Sequence, residues 1–113
     1  MLGLYNIHVY LSLFNFVARA VERLSRHRDV LKQFIECQYG LIDCLRPELT
    51  LQQYDDITEQ RSNRSKQNEV LLSILLEADI TQHEAFLGSL RDTYQEHLAS
   101  YIESDGGRPT VLY

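Results

Sequence analysis

The sequence of 113 residues contains no tryptophan, two cysteines, two prolines and five glycines. So few prolines and glycines exclude the collagen-like and low-complexity classes. Two cysteines are too few for a disulfide-stapled scaffold or a zinc cluster. The chain is too short for two ordinary domains, and its 44% hydrophobic residues are enough to build the core of one.

Positive charge is also in short supply. Eleven Lys and Arg residues against sixteen Asp and Glu residues give a formal net charge of -5. Affinity for nucleic acid comes mostly from neutralising phosphates, so this balance argues against nucleic acid as the main partner. We therefore expect no nucleic-acid partner.

The sequence lacks the patterns of catalytic and metal sites. It has no Gly-rich phosphate loop, no G-x-S-x-G and no H-E-x-x-H. His27, His83 and His97 are widely separated, and we interpret them as exposed, solvated side chains rather than metal ligands. We expect no enzyme activity, no metal and no cofactor.

The two cysteines, Cys37 and Cys44, are seven residues apart. On a helix they would share a face with their Cα atoms about 10 Å apart, which is too far for a disulfide. We predict two buried, reduced thiols in a cytoplasmic protein. The alternative is a cysteine-dependent enzyme or thiol switch, whose histidine base only the fold could supply.

Residues 1–18 form an apolar N-terminal segment. The apolar run over residues 9–18 is shorter than the 18 or more residues of a membrane-spanning helix. No Lys or Arg precedes it, as one would in a signal peptide. We predict an amphipathic helix over residues 4–24 that docks on the domain or on a partner rather than on a membrane. The alternatives are a cleaved leader, since residues 18–20 (ARA) resemble a cleavage site, and a membrane-associated helical protein anchored by this segment.

Apolar residues recur at helical spacing through most of the chain. Thr50 followed by Gln53 has the pattern of a capping box, and residues 81–84 and 93–96 repeat that pattern. Residues 61–68 are predicted to be a polar break between helices. No strand pattern competes with this helical one.

The predicted fold class is all-α. Five to six short helices cannot bury their apolar stripes in pairs, so they must share one compact core. The strongest apolar face, over residues 70–76, indicates a central helix covered on more than one side. Residues 104–113 are predicted to be a flexible tail.

Charged residues are segregated along the chain. Residues 1–35 carry a net charge of +3, residues 36–60 carry -5, residues 61–68 carry +3 and residues 69–105 carry -7. In a compact bundle this order produces patches of opposite sign, which steer association and fix register between copies or with a partner. A contact of basic patch to acidic patch does not close on itself and can build a filament.

Several segments resemble a known family in the family's own order. Residues 27–31 (HRDVL) resemble the opening of its first helix. Residues 49–57 resemble its "L-T-x-x-x-Y-x-x-I" entry into the third helix, and residues 86–98 resemble the "F-L-x-x-L-R-x-T-x-Q-x-x-L" run of the fifth and sixth. Over residues 26–102 the chain is thus similar to a caspase activation and recruitment domain (CARD). Death domains, death-effector domains and pyrin domains share this death fold and remain alternatives.

The resemblance implies a compact six-helix bundle of the death-fold type over residues 19–103, with the apolar segment 1–18 as an extra helical piece. It also implies a non-enzymatic adaptor or regulator in apoptotic or inflammatory signalling. The implied partners are other recruitment-domain proteins: caspases, adaptors or sensors. A homo-oligomer or filament is one form that such assembly takes.

Members of this family pair a basic face on the first and fourth helices with an acidic face on the second and third. By resemblance, the basic face of this chain comprises Arg23, Arg26, Arg28, Lys32, Arg64 and Lys66. The acidic face comprises Asp43, Glu48, Asp55, Asp56 and Glu59.

Overall fold

The computed structural model describes the backbone of residues 3–107 and the side chains of residues 15–107. Over this part of the chain there are seven α-helices and no strand, so the all-α prediction is confirmed. The helices are α1 (Gly3–Arg26), α2 (Arg28–Phe34), α3 (Leu41–Leu45), α4 (Leu51–Thr58), α5 (Arg64–Leu76), α6 (Ile80–Asp92) and α7 (Glu96–Glu103), with a 3-10 turn at Arg46–Glu48.

The first two helices meet at His27. Helix α1 runs through residue 18 without interruption and includes the helix predicted over residues 4–24. Leu24 of α1 and Leu31 of α2 are both buried in the core. The end of α1 and α2 therefore act as one broken helix, and with α3 to α7 they make up a six-helix bundle.

Helices α5 and α6 are the centre of the bundle. Helix α5 packs against α1, α2 and α4, and α6 packs against α1, α3 and α7. This confirms that the apolar face over residues 70–76 belongs to a central helix. The core comprises Leu24, Leu31, Ile35, Cys37, Leu41, Ile42, Leu45, Ile57, Leu71, Leu72, Leu75, Ala78, Phe86, Leu90, Leu98, Ala99 and Ile102.

One of the three predicted capping boxes is confirmed. The backbone N–H of Gln53 donates to Thr50 Oγ1 at 3.0 Å, and the N–H of Thr50 donates to Gln53 Oε1 at 2.9 Å. These two bonds satisfy N–H groups that the first turn of α4 leaves unpaired.

The other two predicted capping boxes are wrong. Helix α6 is capped two residues before Thr81, because Asp79 Oδ1 accepts the N–H of Gln82 at 2.9 Å. Thr93 ends α6 rather than starting α7, and its hydroxyl donates to the Ser89 carbonyl at 2.7 Å. An aspartate is as good a cap as threonine, and the carbonyls at a helix end accept a nearby hydroxyl.

The polar break predicted over residues 61–68 is too long. Asn63 accepts the N–H of Lys66 at 3.1 Å, so α5 begins at Arg64. Asn68 is fully buried, and its Nδ2 donates to the carbonyls at the end of α2, Lys32 at 2.9 Å and Ile35 at 2.7 Å. Its polarity reflects hydrogen bonding inside the bundle and not a loop.

The apolar run over residues 9–18 was predicted to be too short to span a membrane. Among the described residues, no helix combines the length and the hydropathy that a transmembrane span requires.

Candidate interaction surfaces

Two cations of α2 converge on one acid of α5. Arg28 Nη2 lies 3.7 Å from Glu69 Oε1, and Lys32 Nζ lies 3.2 Å from Glu69 Oε2. Arg28 also donates to Ser73 Oγ at 3.3 Å. Arg28 and Lys32 are one helical turn apart and so share a face of α2. The packing of α2 on α5 turns that face toward Glu69.

Arg64 extends this basic region at the first turn of α5. Its Nε donates to the Ile35 carbonyl at 3.2 Å, and its Nη2 donates to the Phe34 carbonyl at 3.1 Å. The guanidinium therefore satisfies carbonyls that the end of α2 leaves unpaired. It also lies 3.7 Å from Glu36 Oε2, and half of the side chain remains exposed.

The structure thus gathers three of the six predicted basic residues, Arg28, Lys32 and Arg64, along α2 and the start of α5. Lys66 is exposed in the same first turn of α5 as Arg64. We call this set the α2–α5 basic cluster; it comprises Arg28, Lys32, Arg64 and Lys66.

The remaining two predicted basic residues, Arg23 and Arg26, face elsewhere. Arg26 forms ion pairs with Glu22 of α1 and with Asp105, which follows α7. Arg23 lines a groove of about 510 Å³ between α1, α6 and α7, together with Leu87 and Ile102. Arg23 and Arg26 thus lie near α7 and the turn after it, whereas Arg28 and Lys32 lie against α5.

The predicted acidic residues lie on α3, the 3-10 turn and α4, with Glu59 at the C-terminal cap of α4. Four of them are exposed, and Asp56 is half-buried and accepts Gln52 Nε2 at 2.8 Å. None of the five carboxylates forms an ion pair with a cation of the described residues. We call this set the acidic face, after the prediction; it comprises Asp43, Glu48, Asp55, Asp56 and Glu59. Asp56 lies at its edge toward α5, where it lines a cavity with Glu69 and Ser73.

Arg46 is a cation within the acidic region that sequence reasoning left without a role. Its guanidinium carbon lies 4.5 Å from the ring centroid of Tyr54, a cation–π contact. Tyr54 and Asp43 line the same cavity of about 310 Å³. The ring thus engages Arg46, and the acids stay unpaired. The eight-residue spacing across the 3-10 turn gives no local sequence signal for this contact.

Sequence reasoning also missed two acids that lie inside the basic cluster, Glu36 and Glu69. Both belong to acidic stretches of the sequence, and only the packing of α2 on α5 brings them to the cations. Their sequence neighbours therefore give no local signal for these contacts. With Asp29 included, four cations and three acids give this region +1, whereas five acids and Arg46 give the acidic face -4.

The prediction that His27 is an exposed, solvated side chain is wrong. Its ring connects the α1–α2 break to residues that lie in and after α7. Its Nε2 lies 2.7 Å from Asp105 Oδ1, and its Nδ1 lies 3.3 Å from the Tyr101 hydroxyl. Gly106 has φ +80°, and a Cβ there would collide with the His27 ring. The close contact between the backbone of residue 106 and the His27 ring therefore requires glycine. Residues 104–107 therefore turn back onto the α1–α2 break, while residues 108–113 lie outside the described part.

His83 is also buried, and only His97 is exposed as predicted. Burial lowers the pKa of His83, an effect that the Asp79 carboxylate partly opposes. Its Nε2 has no hydrogen-bond partner among the described residues. The sequence did hold a signal, because His83 lies three residues before Phe86 and continues that apolar stripe.

The two cysteines differ in burial. Cys37 is buried in the loop after α2, where its Sγ donates to Asn68 Oδ1 at 3.0 Å. Burial, reinforced by the Glu36 charge, raises the pKa of this thiol to about 12, so it is protonated at neutral pH. Cys44 is exposed on α3, so the prediction of two buried thiols is wrong for it. The helical-face argument fails because α2 ends before Cys37.

No metal site emerges from these side chains. Over the part of the chain that the structure describes, no group of three or more His, Cys, Asp or Glu residues is placed to hold an ion.

Comparison with known families matches the family model of the caspase recruitment domain to residues 21–105, about three quarters of the chain. No curated protein and no solved structure gives a significant match. Domains of this family are protein-interaction domains rather than catalytic ones. They associate with other recruitment domains in apoptotic and inflammatory signalling.

Proposed function

We propose, because this chain belongs to the caspase recruitment domain family, that it is a non-enzymatic adaptor or regulator that docks on other recruitment domains through its charged faces. The observation that carries the proposal is the acidic face. Five carboxylates on α3, the 3-10 turn and α4 form no ion pair with a described cation. A partner that presents Lys and Arg side chains would supply their missing counter-charges.

The strength of such docking comes from several weak contacts. A single exposed ion pair contributes about 0–1 kcal/mol. Several carboxylates that meet a complementary face together speed the encounter and select against partners of like charge. Because the groups are exposed, salt screens them, and we expect the affinity to fall as the ionic strength rises.

Charge reversal on α4 tests this proposal. We expect Asp55→Lys combined with Asp56→Lys to weaken binding to a panel of recruitment domains from caspases, adaptors and sensors by about ten-fold or more, since each like-charge contact opposes docking. Binding is measured by calorimetry at low salt, and circular dichroism confirms that the variant is folded.

The control is Glu84→Lys combined with Asp92→Lys, which makes the same total charge change at two exposed positions on α6. It should leave the affinity within about two-fold of the wild type. Unchanged binding by the α4 variant, in a folded chain, would refute the role of the acidic face.

A further inference from the structure

The two charged regions differ in how many of their charges form ion pairs within the chain. The acidic face has no ion-paired carboxylate among the described residues. Three of the four cations in the α2–α5 basic cluster are paired with acids of the same chain: Arg28 and Lys32 with Glu69, and Arg64 with Glu36.

We infer that the chain docks through one face only. Its acidic face is open to a partner, whereas Glu69 and Glu36 occupy the cations of its own basic cluster and so weaken the attraction of that cluster for the acidic face of a second copy. This inference rests on the proposed function and assigns a direction to it. The partner that fits is a recruitment domain whose basic face carries Lys and Arg side chains unopposed by carboxylates of its own. Against such a partner this chain caps an assembly rather than extending it.

Competition within the chain is the physical reason. In a contact between two copies, an incoming carboxylate must share cations that Glu69 already meets at 3.2 and 3.7 Å. Glu69 is permanently present beside those cations, so a carboxylate from solution competes at a disadvantage in effective concentration. The region also carries only +1, so the long-range attraction for a second copy is small.

The positions of the two acids suit this role. Glu69 is half-exposed on α5, so its charge contributes to the surface and not to the core. Both backbone polar groups of Glu36 are bonded to the Gln95 side chain, Glu36 N–H to Oε1 at 2.9 Å and Nε2 to the Glu36 carbonyl at 2.9 Å. These bonds hold the Glu36 backbone next to Arg64.

The test removes the internal competitors one charge at a time. In the full chain, Glu69→Gln and Glu36→Gln each delete one negative charge and keep the size of the side chain. Light scattering against protein concentration, at about 50 and 500 mM salt, reports self-association under weak and strong screening. Glu84→Gln makes the same charge change away from the basic cluster and serves as the control.

We expect the wild type and Glu84→Gln to stay small at both salt concentrations. Glu69→Gln should associate at a concentration about two- to five-fold lower than the wild type in low salt, the range that loss of an exposed ion pair corresponds to. High salt, or the addition of Asp55→Lys and Asp56→Lys, should abolish the gain. Glu36→Gln should act in the same direction.

Two outcomes overturn the inference. One is a wild-type chain that grows to large species at low salt, and the other is a Glu69→Gln variant that associates no more than Glu84→Gln. Neither outcome affects the proposed function, which depends on the loss of partner binding by the α4 charge reversal. Failure of that separate experiment would remove the function whatever Glu69 does.

Discussion

At the scale of single residues, His83 combines burial with an unpartnered nitrogen. Its ring is almost fully buried, and Nε2 has no hydrogen-bond partner among the described residues. Charging this ring inside the bundle requires its desolvation, which is why its pKa falls below the ordinary value of 6.5. The unfolded chain therefore binds a proton at His83 more readily than the folded chain does.

The consequence is a loss of stability in acid. A lowered folded-state pKa imposes no cost above the unfolded value, and stability falls as the pH drops through 6.5 toward the folded-state pKa. We expect the melting temperature to fall more between about pH 7.5 and pH 5.5 in the wild type than in His83→Gln, whose side chain stays neutral. Thermal melts followed by circular dichroism measure this difference.

His97→Gln is the matched control, since His97 is exposed on α7. It should melt with the same pH dependence as the wild type. Parallel pH profiles for the wild type and His83→Gln would show that His83 does not titrate with folding.

At the scale of elements, Asn68 joins α5 to the end of α2. Its amide donates to two carbonyls, and its Oδ1 accepts the Cys37 thiol. We expect Asn68→Ala to lower the free energy of unfolding by about 1–3 kcal/mol or more, because it leaves buried polar groups without partners. The midpoint of urea unfolding reports this change.

Ser65→Ala, an exposed position in the first turn of the same helix, is the comparison. Its effect should stay within about 0.5 kcal/mol. An Asn68→Ala midpoint as high as that of Ser65→Ala would mean that the joint does not depend on the Asn68 amide.

The same joint shows where sequence reasoning succeeds and where it stops. Thr50 with Gln53 is a local pattern, and the predicted cap is present. Asn68 has a polar side chain in a polar stretch, so nothing local distinguishes it from a loop residue. Glu69 joins Arg28 and Lys32 only because two helices distant in sequence pack together. Helical periodicity predicted the bundle, but pairing of charges between helices depends on packing that periodicity does not specify.

At the scale of the whole molecule, the family match begins inside α1, at residue 21. Leu24 lies beyond that point and is buried in the core, whereas Phe16 is 41% exposed at the rim of the groove. The described side chains of residues 15–18 thus lie outside the core.

Removal of residues 1–18 tests this division of the chain. We expect the shortened chain to keep cooperative thermal unfolding, because Leu24 and the rest of the core remain. Leu24→Ala in the same background should cost about 2–5 kcal/mol, as a large-to-small change in a core does, and it shows that the assay detects core damage.

Loss of cooperative unfolding on truncation alone would mean that the bundle needs the apolar segment. Co-sedimentation of the full chain with lipid vesicles, lost on truncation, would instead support the membrane-associated alternative for that segment.

The contact between His27 and Asp105 has a mechanical consequence. It joins residues 78 positions apart and so closes most of the described chain into a ring. A pull on Gly107 away from the bundle would load this contact together with the bond from the Gly106 N–H to the Tyr101 carbonyl at 2.8 Å. The turn at residues 104–107 therefore divides tension on that side between the end of α7 and the break between α1 and α2.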